Sequence, residues 1–230
     1  MKKNKIIICL TAIPSRINLI EPVLKSLLNQ CIKPDKIYIN VPLKYKRFKE
    51  KLIEPDFIKK NYKNMVEFFY LKKDYGPATK FIGSMLNPAI NKDDLIVITD
   101  DDVIKVHNWL RMLLKNHMDN RITGFVEKNL GESIIWGYLG YVFKKDLIDV
   151  KDVIKFYSKV KNECFLVDDH WFTGYCHYRK IPIYNIPIST YNVINTQFEH
   201  GGSNDSLVNM NGNNSRANAS NKCREIIKKE

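Results

Sequence analysis

The most constraining feature of the chain is the segment Leu95–Thr99, a run of apolar and β-branched residues that ends directly in Asp100, Asp101 and Asp102. A strand this apolar is buried on both faces, as in a parallel sheet covered by helices. In open α/β sheets, ligands bind outside the carboxyl ends of the strands. Three carboxylates at one such end repel one another unless a cation sits among them. Hard oxygen ligands suit Mg²⁺ or Mn²⁺. A metal there would bridge a diphosphate and stabilise its charge as it leaves. The acids could instead cap the helix that follows near His107, but one Asp would suffice for that.

The rest of the first half has the matching alternation. Lys5–Leu10 is a second continuous apolar run, and Thr11–Arg16 is a polar loop containing Pro14. Asn18–Gln30 has helical spacing, with Leu19, Val23, Leu24, Leu27 and Leu28 on one face. Lys36–Val41 and Val66–Leu71 read as strands, and Leu43–Tyr62 as a basic, aromatic helix plus loop. Asp74–Pro77 is a turn, Ala78–Leu86 and His107–His117 are helices, and the class is α/β. The second half is less regular. Short strands are expected at Ile122–Val126 and Ile134–Trp136, helices at Lys145–Phe156 and Asp168–Arg179, and a last strand at Ile181–Ile188. Gly201–Asn221 is rich in Asn, Ser and Gly and reads as part of a C-terminal loop or mobile tail over 201–230. With 230 residues and no internal repeat, the expectation is one domain, with a nucleotide half over 1–105 and an acceptor half over 106–200.

Four further groups of residues carry chemistry. Asp168-Asp169-His170-Trp171 opens a helix, where acids serve as caps; they are also candidates for a general base acting on an acceptor hydroxyl. In Asp74-Tyr75-Gly76-Pro77-Ala78-Thr79-Lys80, Gly76 permits a close backbone approach. Lys80, one turn into a helix, is placed to reach a base or phosphate, although helical lysines are usually solvated. Thr11, Ala12, Pro14 and Arg16 follow the first strand, where nucleotides bind in this class of fold, and Arg16 can pair with phosphate or stack on a base. Among the five histidines no zinc pattern emerges, but His200, beside Gly201 and Gly202, is a candidate to fold back onto the metal or diphosphate.

Composition narrows the partners. Lys and Arg outnumber Asp and Glu, 37 to 25, a formal charge of +12 that favours an anionic partner or marks a solvated surface. The five cysteines form no CxxC pair and no framework, so reduced thiols and a cytoplasmic location are expected. No targeting segment and no membrane-spanning stretch is visible.

In order along the chain, Thr11-x-x-Pro14-Ser15-Arg16, the Asp74–Lys80 segment, Asp100-Asp101-Asp102 and Asp168-Asp169-x-Trp171 resemble the GT-A glycosyltransferases. The likeness is greatest to small stand-alone enzymes similar to glycosyltransferase family 2, and it covers roughly residues 5–190. It implies a Rossmann-like, mainly parallel central sheet flanked by helices. It implies a nucleotide-sugar donor, a UDP-sugar first, with Thr11, Ala12, Pro14, Arg16, Asp74, Gly76 and Lys80 around the nucleotide. Asp100 and Asp102 match the DxD motif, with Asp102 as the direct ligand of Mn²⁺ or Mg²⁺ and His200 as a further candidate. Asp101 would lie near the ribose or donor sugar. Asp169, with Asp168 beside it, matches the base of an inverting enzyme, and Trp136–Tyr141 the segment lining the sugar and acceptor pocket. The acceptor would be a hydroxyl of a glycan or another molecule.

Two other classes compete. A sugar-phosphate nucleotidyltransferase shares the fold, acids and metal, but it usually has a Gly-rich loop after the first strand, and Thr11–Arg16 contains no glycine. A nucleic-acid-binding module would explain the charge, with Tyr45–Tyr62 as its basic-aromatic surface, but it gives no reason for clustered acids. The expected partners therefore exclude nucleic acid.

Overall fold

A computed structural model describes residues 4–129, 132–186, 194–197 and 216–229. The apolar runs form strands β1 (Ile6–Leu10), β2 (Lys36–Pro42), β3 (Val66–Leu71) and β4 (Leu95–Ile98). Between them lie helices α1 (Glu21–Leu28), α2 (Asp56–Asn61) and α3 (Thr79–Leu86). Then follow β5 (Val103–Lys105), α4 (Trp109–Lys115), β6 (Ile122–Gly124), a hairpin of β7 (Val126–Asn129) and β8 (Glu132–Ile135), and β9 (Tyr141–Lys144). Helices α5 (Val150–Cys164) and α6 (Asp168–Tyr178), strands β10 (Ile183–Asn185) and β11 (Ile194–Gln197), and helix α7 (Arg216–Ile227) complete the described elements.

The central sheet has seven strands in the order β10-β6-β9-β4-β1-β2-β3. All run parallel except β9, which pairs antiparallel with both β4 and β6. Because side chains alternate across a strand, the apolar runs feed both faces. Ile7, Cys9, Ile96 and Ile98 pack with Phe81, Trp171 and Phe172 on one face. Ile8, Leu10, Ile37, Ile39 and Val97 pack with Leu24, Leu27, Trp109 and Leu110 on the other. Burial on both faces is why these strands read as unbroken apolar runs. Strand β5 leaves this sheet and pairs antiparallel with β11.

Several expectations change. Residues 17–19 form a separate 3-10 turn, so Leu19 is 48% exposed and not part of the buried face of α1. Strand β9 lies at the middle of the sheet in a stretch whose aromatics gave no strand signal. The tail expected over 201–230 contains helix α7, which packs on α5 and α6. Cys164 at the end of α5 is disulfide-bonded to Cys223 of α7, while Cys9, Cys31 and Cys176 are free. The expectation of five reduced thiols therefore fails at two positions. Their separation of 59 residues leaves no spacing signature in the sequence. No helix among the described residues is long and apolar enough to cross a membrane.

The entry into β9 depends on Gly140, whose φ of +104° is left-handed. A Cβ there would stand 2.5 Å from Trp109 Cζ2, and the Trp109 indole N–H donates to the carbonyl of Leu139 at 2.6 Å. Gly140→Ala is expected to destabilise the fold by about 3 kcal/mol, from positive-φ strain plus overpacking. Urea unfolding followed by fluorescence checks this as a drop in the midpoint.

Candidate active site

The carboxyl ends of β1, β3 and β4 converge on one cleft, the place where ligands bind in open α/β sheets. Thr11, Ala12, Arg16, Asp74, Gly76, Lys80, Asp100, Asp101, Asp102, Asp168 and Asp169 all line it. Pro14 does not: with Ser15 it lines a neighbouring depression. His200 lies outside the described residues.

The acids of the cleft are held by the chain's own cations. Arg16 spreads its guanidinium over two of them, donating from Nη2 to Asp101 Oδ1 at 2.7 Å and from Nη1 to Asp102 Oδ2 at 3.0 Å. Lys80, only 2% exposed, bridges Asp100 Oδ1 and Asp168 Oδ2 at 2.7 Å each. The cation demanded by clustered carboxylates is thus supplied in part by Arg16 and Lys80. Arg16, expected against phosphate or base, lines the cleft and pairs with two of its acids. A buried lysine held by two carboxylates has strong charge-assisted bonds and no polar lone pair to satisfy. Burial opposes its charge, but Asp100 and Asp168 outweigh that and raise its pKa well above the usual value. For Arg16, likewise, burial lowers the pKa, and Asp101, Asp102 and Asp100 more than offset it.

The carboxylates themselves diverge. Burial would raise Asp100, but Lys80 dominates and its pKa is lowered. Asp101 is pushed up to about 7 by burial, against the pull of Arg16. Asp102 is raised by burial and by Asp100. Asp169 is pushed up to about 7 by burial and then by Asp168, with Lys80 opposing. Asp169 Oδ1 accepts the backbone N–H of Gly137 at 2.9 Å. It sits in the first turn of α6, where the helix dipole favours an acid.

Asp74 has a structural duty at the cleft wall. Its Oδ2 accepts from the backbone N–H of Lys46 at 2.7 Å and its Oδ1 from that of Gly76 at 2.8 Å. Together with the bond from Tyr45 Oη to the carbonyl of Ala12 at 2.8 Å, this ties the loop after β2 to the loops after β1 and β3. Gly76 has a φ of +61°, and a Cβ there would lie 2.4 Å from the carbonyl oxygen of Phe165. The close approach expected at Gly76 is thus met by the loop before α6.

Seven lining residues were not among the expected ones: Ile13, Tyr45, Arg47, Phe48, Pro77, Leu166 and Arg216. The basic-aromatic segment starting at Tyr45 was visible in the sequence, but as a nucleic-acid surface. Arg216 gave no signal, because the tail showed no helical pattern strong enough to place it. Lys105, next to the acids in sequence, is 3% exposed and donates to the carbonyl of Tyr138. Burial pulls its pKa down to about 7 despite Asp100 and Asp102.

Among the described residues no three of His, Cys, Asp and Glu converge as a metal cage. Asp100 and Asp102 nevertheless fit a cation that keeps several waters and takes the rest of its shell from phosphate oxygens. Their side chains are 31% and 27% exposed to the cleft. Their remaining oxygens, Oδ2 and Oδ1, take part in neither ion pair.

The chain matches no protein-family model and no curated protein. Solved structures do match. The mannosyltransferase PcManGT from Pyrobaculum calidifontis, solved with GDP-Man and Mn²⁺, superposes with a TM-score of 0.54 at 14% identity. The match covers 81% of this chain and 56% of that one, so the chain spans little more than half of its length. A 4-diphosphocytidyl-2C-methyl-D-erythritol synthase gives a TM-score of 0.50 at 11% identity, over 86% of this chain and 95% of that one. The glycosyltransferase GlyE of Streptococcus pneumoniae TIGR4 gives 0.44 at 13%, over 84% and 58%. The fold is the Rossmann-like GT-A type, an α/β domain with a mainly parallel sheet flanked by helices.

The raised carboxyl of Asp169 has a measurable consequence. Between the ordinary carboxylate range and about 7 the folded state holds a proton that the unfolded chain releases, so this group's contribution falls as pH rises and is lowest above 7. Asp169→Asn removes that penalty. Its melting temperature is expected to exceed wild type, by more at pH 8 than at pH 5. Calorimetry at the two pH values checks the sign.

Proposed function

We propose that the chain is a glycosyltransferase similar to family 2, transferring a sugar from a nucleoside-diphosphate donor to an acceptor hydroxyl with inversion. The observation that carries this reading is the meeting of two acidic clusters, Asp100–Asp102 and Asp168–Asp169, in one cleft, with Lys80 bridging Asp100 and Asp168. The first 105 residues supply the nucleotide side of the cleft, and α6 supplies the acids on the acceptor side. A UDP-sugar is the first donor to test and a glycan hydroxyl the first acceptor.

Asp169 is the base. With a pKa near 7 it is matched to accepting a proton at neutral pH, and the Gly137 N–H orients its Oδ1. Asp168 is committed to Lys80 and keeps the two acidic segments together. Deprotonated, the acceptor oxygen attacks the anomeric carbon from the face opposite the diphosphate, the bond to the diphosphate breaks, and the configuration inverts. Asp100 and Asp102 would hold Mn²⁺ or Mg²⁺. When bound, that ion supplies charge stabilisation to the departing diphosphate. The cradle of Thr11, Tyr45, Arg47 and Phe48 offers aromatic and polar surface to the nucleoside.

A sugar-phosphate nucleotidyltransferase is the competing reading, since a synthase that forms a cytidine diphosphate product shares this fold over nearly its whole length. Thermal shift with nucleoside diphosphates and Mn²⁺ tests the donor site. Saturation at 100 times Kd stabilises a protein by about 2.7 kcal/mol, a rise of about 5–10 °C for a chain of this size. One nucleotide is expected to give such a rise only with metal, and Asp102→Ala to lose it. No rise with any nucleotide would sink the donor site. Release of pyrophosphate from a nucleoside triphosphate and a sugar phosphate would replace the transferase with the nucleotidyltransferase.

A further inference from the structure

We propose that the Cys164–Cys223 disulfide is a redox clasp on the cleft: oxidised, it holds α7 so that Arg216 serves as an anion-binding cation there. The proposal deepens the reading of the cleft as a diphosphate site. Arg216 lines the cleft, with Nη2 3.9 Å from Asp169 Oδ2 and its guanidinium 5.7 Å from the ring centre of Trp136. Arg16 and Lys80 are each drawn onto two carboxylates at 2.7–3.0 Å. Arg216 has the longer contact and a side chain 38% exposed, so it is the one of the three free to turn towards an anionic ligand.

The clasp decides where Arg216 points. Residues seven apart lie on one face of a helix, two turns or about 10 Å from each other. Arg216 and Cys223 are so spaced. The residues of α7 turned at least partly inward are Arg216, Ala219, Ser220, Cys223, Arg224, Ile226 and Ile227, while Ala217, Asn218, Asn221, Lys222 and Glu225 are exposed. Cys223 is the one fully buried side chain on this helix. A polar helix of this length is marginal on its own and draws its stability from packing. Here the apolar part of that packing is the disulfide, two part-buried isoleucines and one alanine. Gly174 of α6 lets Ile227 approach, since a Cβ there would lie 2.5 Å from Ile227 Cγ2. Cutting the clasp leaves α7 with little apolar contact and frees the rotation that aims Arg216.

The redox step balances with a dithiol as the reductant. The S–S bond of Cys164–Cys223 breaks and two S–H groups form. The dithiol gives two electrons and two protons and closes to its own disulfide. Both sulfurs are buried, so attack follows a local opening of α7.

The test uses the full chain, oxidised or equilibrated with excess dithiothreitol, with thiols counted by alkylation and mass spectrometry. Three free thiols are expected before reduction and five after. Binding of inorganic pyrophosphate without added metal is measured by calorimetry, and amide exchange is followed across Arg216–Ile227. Loss of one charge-assisted contact is expected to weaken pyrophosphate about tenfold in Arg216→Gln, in the reduced protein and in Cys223→Ser alike. Arg216→Gln is expected to add nothing further in the Cys223→Ser background, a non-additivity that a merely structural disulfide would not give. Exchange over α7 is expected to accelerate on reduction. The proposal is overturned if α7 stays protected with five free thiols, if Arg216→Gln weakens binding equally with and without the disulfide, or if pyrophosphate fails to bind the oxidised chain. Pyrophosphate binding with no response to any nucleoside diphosphate would sink the donor reading and leave the clasp standing.

Discussion

The bridge from Lys80 to Asp100 and Asp168 is the interaction on which the rest of the site depends. It joins a loop at the end of β4 to the first turn of α6, segments almost 70 residues apart in sequence. Each partner alone would be expensive to bury. Together they form a network in which one cation is shared between two carboxylates. Removing Lys80 would leave two carboxylates facing each other beside a third, Asp169. The bridge therefore does for the fold what a metal would do, and it leaves the outer oxygens of Asp100 and Asp102 turned to other uses.

Much of this arrangement was legible because it follows from burial. Only a strand covered on both faces can be as apolar as Leu95–Ile98, and only the end of such a strand makes three consecutive acids informative. The parallel half of the sheet and three of the six lining acids, Asp100, Asp101 and Asp102, follow from that one pattern. Lys80 was visible only as a weak candidate. A helical lysine is ordinarily solvated, and nothing local indicates that Asp168 lies across from it. The partnership of Arg16 with Asp101 and Asp102 was hidden for the same reason, since it spans about 85 positions.

What escaped the sequence lies in the second half, where tertiary contacts override local signals. Strand β9 runs against its neighbours and is only four residues long, flanked by Gly140 and by a 3-10 turn. Its aromatics, Tyr141 and Phe143, serve packing against Phe172 and Phe81 as much as strand formation. Helix α7 has few apolar residues, so its periodicity is carried by a half-cystine, an alanine and two isoleucines. Composition made it look like tail. The disulfide supplies what the composition lacks, by limiting the freedom of the unfolded chain over a loop of 59 residues.

The two neighbouring acids of α6 show how one backbone can set two opposite chemical roles. Asp168 and Asp169 share a helix turn, a dipole and deep burial. Asp168 has a cation at 2.7 Å. Asp169 has one backbone N–H and a guanidinium at 3.9 Å, so its charge is poorly compensated and its pKa rises to about 7. The group suited to take a proton is the one whose charge the fold tolerates least well, and its neighbour holds the framework that makes it so. The same reasoning gives Arg216 its leverage, because a weakly compensated carboxylate is sensitive to any cation brought near it. That cation stands on an element anchored by one covalent bond.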